Sequence, residues 1–536
     1  MSSFCLVSVG NRHPDFHESS CRRLFVVSTL LALLFLSATG LYASGNATTQ
    51  PAQVSENLQL PERKQVVIVG AGMAGLTAAY FLKDRDIALL EKSDHYGGII
   101  DSGSFGGYNY PKGPAYIGIP QGPVETMIVE MALEPLEIPE PSQGFYYDGR
   151  FYFGTKEMAK LFIEKSSAEE YRRFVNSVKK LSRVYGDCSY SALPGELREL
   201  EKITANDWFE REKFPPIYME IYNSQACSVF GAGLEQISAL SFIPEIGFQF
   251  ESSESENDRN SVERNEENAA SGKGSGAYTF RNGLSELPEA IVKKLGDKTR
   301  LECNVTNIGL KDKLYKVHYV DKGGIEHIIE SEAVIIATPA PEALEIAGNL
   351  LNEEQKKSLG GIKYCGYISV ALFCSAPIFD KSFDLGVGNG YVFSDIYDGS
   401  WVQRAYDKSL SELQERVICA HIPACSRDNK QLKGLSDEEL VKKTVADLER
   451  IFPDAGSKIV GHDVKRIDKA YPVMRPGVYE TIVGLNDINQ GKALLAGQYM
   501  TYPTIESAAE SGYLAAIKLD AALGPPRAAE AAESKR

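Results

Sequence analysis

The sequence predicts an α/β fold: a doubly wound parallel sheet interwoven with a second, α+β domain. Three observations carry this. Residues 66–69, 87–90, 333–337 and 493–496 are short apolar runs, each ending at or near Gly, Pro or an acidic residue, as buried parallel strands do. The first two are joined by a helical stretch to about Leu82 and a polar turn at Asp84-Arg85-Asp86, the order of a strand–helix–strand unit. Residues 156–246 instead carry long charged and apolar helical stretches, such as 168–185, and read as a separate helical module.

Composition agrees. A chain of 536 residues has room for three or four domains of ~150 residues, or for fewer large interwoven ones. With 43% hydrophobic and 24% charged residues it is an ordinary globular body, which excludes a wholly disordered, collagen-like or polytopic membrane chain. A net charge of -15 repels nucleic acid, so no nucleic-acid partner is expected. Nine cysteines without a C-x-x-C pair and without clustered histidines exclude zinc and iron–sulfur sites at usable spacing, and are expected to be mostly reduced and buried.

In chain order, residues 24–42 form an apolar run behind Arg22-Arg23 and ahead of small and hydroxylated residues, the pattern of a signal sequence over residues 1–45. The run Arg22-Arg23-Leu24-Phe25-Val26 resembles a bacterial twin-arginine export signal. An uncleaved anchor is the alternative, since such a helix nearly crosses a ~30 Å hydrocarbon layer. Either way the chain is expected to be exported or membrane-anchored, at the bacterial periplasm or membrane surface, with membrane association through its N-terminus. Residues 46–63 read as a linker. Residues 251–276, with seven acidic and three basic residues and a Gly/Ser run at the end, read as a mobile loop, and 525–536 as a frayed tail. Aromatic runs on either side of Asp148-Gly149 signal a tight hairpin.

The strongest chemistry lies in Val66-Val67-Ile68-Val69-Gly70-Ala71-Gly72-Met73-Ala74-Gly75. The glycine triplet alone is weak, with ~0.4 chance matches expected in this chain, but the preceding strand and Glu91 about 20 residues on make it specific. Gly70 permits the strand-to-helix turn, Gly72 lets the backbone approach a pyrophosphate, and Gly75 allows close helix–strand packing. Amides at the helix N-terminus hold the anion, and Glu91 accepts hydrogen bonds from ribose hydroxyls while repelling a 2′-phosphate. The domain is therefore expected to be Rossmann-like.

Beyond Glu91 the chain reads Lys92-Ser93-Asp94-His95-Tyr96-Gly97-Gly98. Here it resembles the superfamily of flavin amine oxidases, protoporphyrinogen oxidases and phytoene desaturases, which pairs the first motif with a Gly-Gly soon after the acidic residue. Three further segments are similar: Gly283-Leu284-Ser285-Glu286-Leu287 with Val305, Ala333-Val334-Ile335-Ile336-Ala337-Thr338-Pro339, and Leu495-Ala496-Gly497-Gln498 with Glu506-Ser507-Ala508-Ala509-Glu510-Ser511-Gly512. The resemblance implies an FAD-dependent oxidoreductase with noncovalent FAD held by Gly70, Ala71, Gly72, Met73, Ala74, Gly75, Glu91, Lys92, Gly97, Gly98, Val305, Gly497, Ser507 and Ala508. It divides the chain into an FAD-binding domain of residues 64–155, 278–345 and 479–524 and a substrate domain of residues 156–246 and 346–478.

The chain also departs from that family. Ile99 stands where its amine oxidases place an arginine, Ser369 where they place a lysine near the flavin N5, and Thr504 where they place a cage tyrosine; a slip of the alignment brings Lys363 into contention. The first reading is therefore dehydrogenation at carbon of an organic, apolar small-molecule substrate, larger than a simple amine and lying in a mainly apolar cavity, by hydride or two-electron transfer, with oxygen or a quinone as acceptor. Amine oxidation with oxygen and an escort-type binding protein on the same fold are the alternatives. Expected substrate-wall residues are Tyr364, Tyr367, Ser369, Met474, Tyr499 and Tyr502, and no catalytic base is assigned. His95 reads as a solvated loop histidine beside the Gly-Gly pair.

Overall fold

Two seven-stranded sheets organise the protein. The computed structural model describes residues 61–186, 194–251, 275–424, 429, 432 and 434–525. The expected N-terminal address, most of the linker, nearly all of the acidic loop and the final tail lie outside the described residues. Among the described residues no helix is long and apolar enough to cross a membrane.

The first sheet runs β10 (Asn304–Lys311), β11 (Leu314–Val320), β12 (Glu326–Ile336), β1 (Glu62–Val69), β2 (Ile87–Leu90), β9 (Thr299–Arg300), with β18 (Ala493–Leu495) on the second edge of β12. The four apolar runs are its parallel heart: β1 pairs with β12 and β2, and β12 pairs with β18, all parallel. Burial on both faces explains their unbroken apolar character. One face packs the helices Met73–Phe81, Glu286–Leu295 and Ile505–Leu523, and the other packs Ala340–Ala347. The first and last of these pack at van der Waals limit, because a Cβ on Gly512 would lie 2.0 Å from the Ala74 carbonyl oxygen. The "polar turn" Arg85 is in fact buried. Its guanidinium donates to Asp520 Oδ1 (2.6 Å) and to the carbonyls of Asp520 and Gly524, neutralising the C-terminal end of Ile505–Leu523.

The second sheet runs β17 (Ile459–Pro472), β13 (Tyr364–Cys374), β16 (Arg416–Pro423), β15 (Asp395–Asp398), β14 (Asp384–Val387), β6 (Gln143–Tyr147), β7 (Arg150–Phe153). The last pair is the expected hairpin, with Asp148 and Gly149 both at positive φ in its two-residue turn. It was expected on the nucleotide side of the chain, but β6 pairs in parallel with β14 and so belongs to the substrate-side sheet. The physical reason is side-chain room: Phe145 opposes Gly386, and a Cβ there would lie 2.9 Å from the Phe145 ring. The helical module follows as expected, including Ala168–Gly186, Pro216–Phe230 and Ala239–Glu251, with Trp208, Phe174, Tyr218 and Phe242 fully buried in its core.

Two small ribbons connect the parts: β3 (Ser102–Phe105) with β4 (Tyr108–Pro111), and β5 (Leu136–Glu137) with β8 (Tyr278–Thr279). The first ribbon ties the segment after Gly98 onto the second sheet. Tyr110 donates to Asp463 Oδ2 (2.8 Å), Tyr397 donates to the Pro111 carbonyl (3.1 Å), and Lys465 pairs with Asp101 (2.9 Å).

Candidate active site

Because β1, β2, β12 and β18 are parallel, their carboxyl ends gather Gly70, Glu91, Ala337 and Gly497 along one edge, where open α/β sheets bind ligands. Gly70 has φ +101, and a Cβ on it would strike the Ala337 carbonyl at 2.7 Å. A Cβ on Gly75 would sit 1.8 Å from the Gly70 carbonyl oxygen, so both glycines are demanded by the fold itself. Gly72 is different. A Cβ there would meet only the Gly98 Cα, at 3.9 Å. Nothing in the protein requires glycine at that point, which leaves a bound group as the reason for it.

Gly72 is also the N-cap of Met73–Phe81, with no side-chain cap and no acidic residue in the first turn. The helix amides are thus left for an external anion. Gly97 and Gly98, both at positive φ, complete the cradle: the Gly97 N–H donates to the Ala71 carbonyl (2.8 Å) and Gly72 bridges to Gly97. Glu91 braces the same loop, its Oε2 accepting from the Ala71 N–H (2.7 Å) and its Oε1 from the Ser93 N–H and hydroxyl. Lys92 points outward and is exposed. Val305 lies beside this corner, because Cys303 N–H donates to the Glu91 carbonyl and Glu302 N–H to that of Ser93. Met73 and Ala74 are buried in the first turn of the helix.

At the other end of the edge, the Gly497 N–H donates to Ser511 Oγ (3.0 Å), and Ser507 and Ala508 are buried in the first turn of Ile505–Leu523. Thr504 explains itself here: it is the N-cap, its Oγ1 accepting from the Ser507 N–H (3.1 Å). The residues of this crevice fit a dinucleotide with a planar ring at its far end, the test being the room left at Gly72 and the uncapped helix. His95 is a half-exposed surface group paired with Asp94 at 3.0 Å.

The substrate side is set by the two faces of the second sheet. Ile368, Val370, Leu372, Ile418, Ala420 and Ile422 pack against Asp437–Glu449. The opposite face carries a polar row in strict register: Ser369 on β13 opposes His421 on β16, which opposes Asp395 on β15. Asp384 opposes Tyr397 on the same face. His421 Nδ1 meets Asp395 Oδ2 at 2.9 Å. Tyr367 and Tyr397 pack on the imidazole at centroid distances of 5.1 and 4.4 Å.

These groups border open space, the chamber: Tyr116 keeps 39% of its surface accessible, and Asp384, Tyr471 and Glu245 are only partly covered. Burial raises the Tyr116 phenol, and the carboxyls of Asp384, Asp395 and Glu245 around it add to that. Asp384 is held well above the carboxylate range by burial and then by the Asp395 charge. Burial would raise Asp395 as well, but His421, Ser394 and Ser228 outweigh it and hold that carboxyl low. Glu245 is pushed up to about 7 by burial, although Tyr502 donates to it at 3.0 Å.

Of the expected wall residues, Tyr367 and Ser369 do lie on the chamber face. Tyr364 and Tyr499 instead pack behind the first sheet, and Met474 and Tyr502 belong to the helical core, where apolar contact area outweighs exposure to the chamber. A mainly apolar wall was expected; this face of the sheet carries the polar row Ser369, His421 and Asp395 beside the apolar Ala371, Phe373 and Val417. His421 was missed, and its signal was a lone histidine inside the mainly apolar strand Arg416–Pro423. Lys465, opposite Ser369 on β17, supplies a cation on this face.

A family model described as flavin containing amine oxidoreductase matches residues 73–519. Among curated proteins the chain is 24% identical over 300 residues to coproporphyrinogen III oxidase of Staphylococcus aureus, covering 52% of this chain and 60% of that protein. It is 32% identical over 99 residues to renalase of Mus musculus, covering 18% of this chain and 28% of that protein. The chain thus spans less than two thirds of the length of these relatives. A solved putrescine oxidase double mutant superposes with a TM-score of 0.65 at 17% identity, over 86% of this chain and 99% of that one, a likeness of fold.

Proposed function

The chain belongs to the flavin containing amine oxidoreductase family, and from that premise we propose that it is an FAD-dependent oxidoreductase that dehydrogenates a small organic substrate held in the chamber. The single observation that carries this reading is the crevice at Gly72, roomy and uncapped, whose Gly97-Gly98 wall leads to Asp101, paired with Lys465 of the second sheet. Bound noncovalently, FAD would be held by Gly70 to Gly75, Glu91, Gly97 and Gly98 at its nucleotide end, with Val305 alongside and Gly497, Ser507 and Ala508 at its ring end. The flavin supplies the two-electron acceptor. The protein supplies position, exclusion of water and a wall of hydrogen-bonding groups.

Reaction at carbon, with a quinone or oxygen taking the electrons onward, is supported by Ser369 and Thr504, neither of which offers amine-oxidase chemistry. Amine oxidation with oxygen is the second reading, favoured by Lys465, whose ammonium stands on the chamber face next to Ser369 and is paired to Asp101. We infer an export or membrane address in residues 1–45, supported by Arg22-Arg23 and the apolar run behind it. Its test is whether Arg22→Lys with Arg23→Lys changes localisation.

The functional test has two steps. Denaturation of the purified protein is expected to release a yellow flavin; a colourless protein that FAD does not reconstitute overturns the proposal. Anaerobic exposure to putrescine, benzylamine, a polyene and coproporphyrinogen III is then expected to bleach the flavin with a non-amine. Fast bleaching by a simple amine and fast reoxidation in air, both lost in Lys465→Met, establish the second reading instead.

A further inference from the structure

The wall of the chamber contains a histidine whose placement the fold determines and whose second nitrogen has no partner. His421 sits in the centre of an antiparallel sheet, opposite Asp395 on one side and Ser369 on the other. Its Nδ1 is committed to Asp395 Oδ2 at 2.9 Å. Asp395 is in turn fixed by the Ser394 hydroxyl on its other oxygen (2.6 Å). The imidazole is clamped between the rings of Tyr367 and Tyr397. Its side chain is 12% exposed, and Nε2 is buried without a hydrogen-bond partner. A buried ring nitrogen left unpaired is unfavourable unless a ligand or a proton uses it. An ionised Asp395 accepting from Nδ1–H fixes the tautomer in which Nε2 carries the free lone pair.

We propose that the His421–Asp395 pair is the proton acceptor of the chamber, taking up on Nε2 the proton that the substrate loses when it is oxidised. The proposal rests on the oxidoreductase reading above and deepens it. Forming a double bond between a carbon and its neighbour X breaks one C–H and one X–H bond. Two electrons leave with a hydride, accepted by the flavin, and the remaining proton ends on Nε2, so that imidazole becomes imidazolium beside the Asp395 carboxylate. Of the neighbouring acids, Asp384 is raised well above the carboxylate range by burial and by the Asp395 charge and so already holds its proton, and the Glu245 carboxyl, raised to about 7, is engaged by the Tyr502 hydroxyl at 3.0 Å. The other titratable groups on this face are the phenols of Tyr116, Tyr367, Tyr397 and Tyr471 and the Cys419 thiol, all raised by burial and therefore neutral, and Lys465, which is paired with Asp101.

The pair can be tested without knowing the substrate. The flavin-loaded full chain is reduced anaerobically with xanthine and xanthine oxidase beside an indicator dye, from about pH 5.5 to about pH 9, a span that brackets histidine titration. Beside the break that the reduced flavin's own N1–H gives in every form, the plot of potential against pH is expected to show a further one-proton break in the wild type that is absent in His421→Gln and in Asp395→Asn. Both variants are expected to retain flavin and to melt near the wild type; should His421→Gln not fold, Asp395→Asn carries the comparison, because its shape is unchanged. With whichever probe bleaches the wild-type flavin, bleaching is expected to slow about tenfold per pH unit on the acid side. Both variants are expected to lose that limb and at least about 100-fold in rate, with KM little changed. The same plot in the wild type and both variants, with no further break in the wild type or with one that survives in either variant, overturns the proposal while leaving the flavin reading intact. A protein that holds no flavin overturns that reading, and the pair's role with it.

Discussion

Two glycines three residues apart illustrate how far a single position reports on function. Gly75 is required by packing, since a Cβ would fall 1.8 Å from the Gly70 carbonyl oxygen, whereas Gly72 has only the Gly98 Cα at 3.9 Å. Gly75→Ala is therefore expected to lower the melting temperature, while Gly72→Val is expected to fold and to emerge without flavin, read from absorbance of the denatured supernatant. Glu201 makes a second prediction at this scale. It is 1% exposed, and burial raises its carboxyl from 4.5 to about 7, although the Glu480 and Tyr479 amides donate to it. Between those pH values the native chain keeps a proton that the unfolded chain has released, so stability is fully present below the lower value and is lost as pH rises through the upper one. Glu201→Gln is accordingly expected to melt like the wild type near pH 5 and several degrees (~2–4 °C) higher at pH 8 in parallel thermal scans.

The hairpin β6–β7 shows what an element adds. The Asp-Gly turn was legible because only such residues accept positive φ at both central positions, and Asp148 at +50 and Gly149 at +77 adopt it. A Cβ on Gly149 meets nothing, so Gly149→Ala isolates the backbone cost: about 1 kcal/mol is expected, measured as a shift in denaturant midpoint at unchanged slope. Which sheet the hairpin joins was not legible, because pairing with β14 depends on the gap at Gly386, more than 200 residues away in sequence. The strands of the second sheet repeat the point. Their alternation separates an apolar face from a polar one, yet only register aligns Ser369, His421 and Asp395 across three strands.

For the molecule as a whole, both sheets, the crevice and the chamber are built from described residues, beginning at Pro61. Removal of residues 1–60 is therefore expected to leave a flavin-loaded protein with an unchanged melting temperature; loss of either would show that the N-terminal segment contributes to the folded unit. The first sheet's parallel strands and the turns that follow them were readable almost residue by residue, from the one at Gly70 to the one at Gly497. The substrate half was readable only as helices and strands, and four of its six expected wall residues proved to be core.

The reason for that asymmetry is physical. A dinucleotide is held by backbone: tight turns, close approach and helix amides constrain consecutive residues to glycine or small side chains, and such local constraints leave a motif in the sequence. The chain by itself thus determined the parallel strands, the Gly70–Gly75 turn and the cofactor class. A substrate chamber is held by side chains converging from distant strands, and each one, taken singly, resembles ordinary core. Only the tertiary structure, through strand register and the choice of which face turns inward, decided that His421, Asp395, Asp384 and Tyr116 meet.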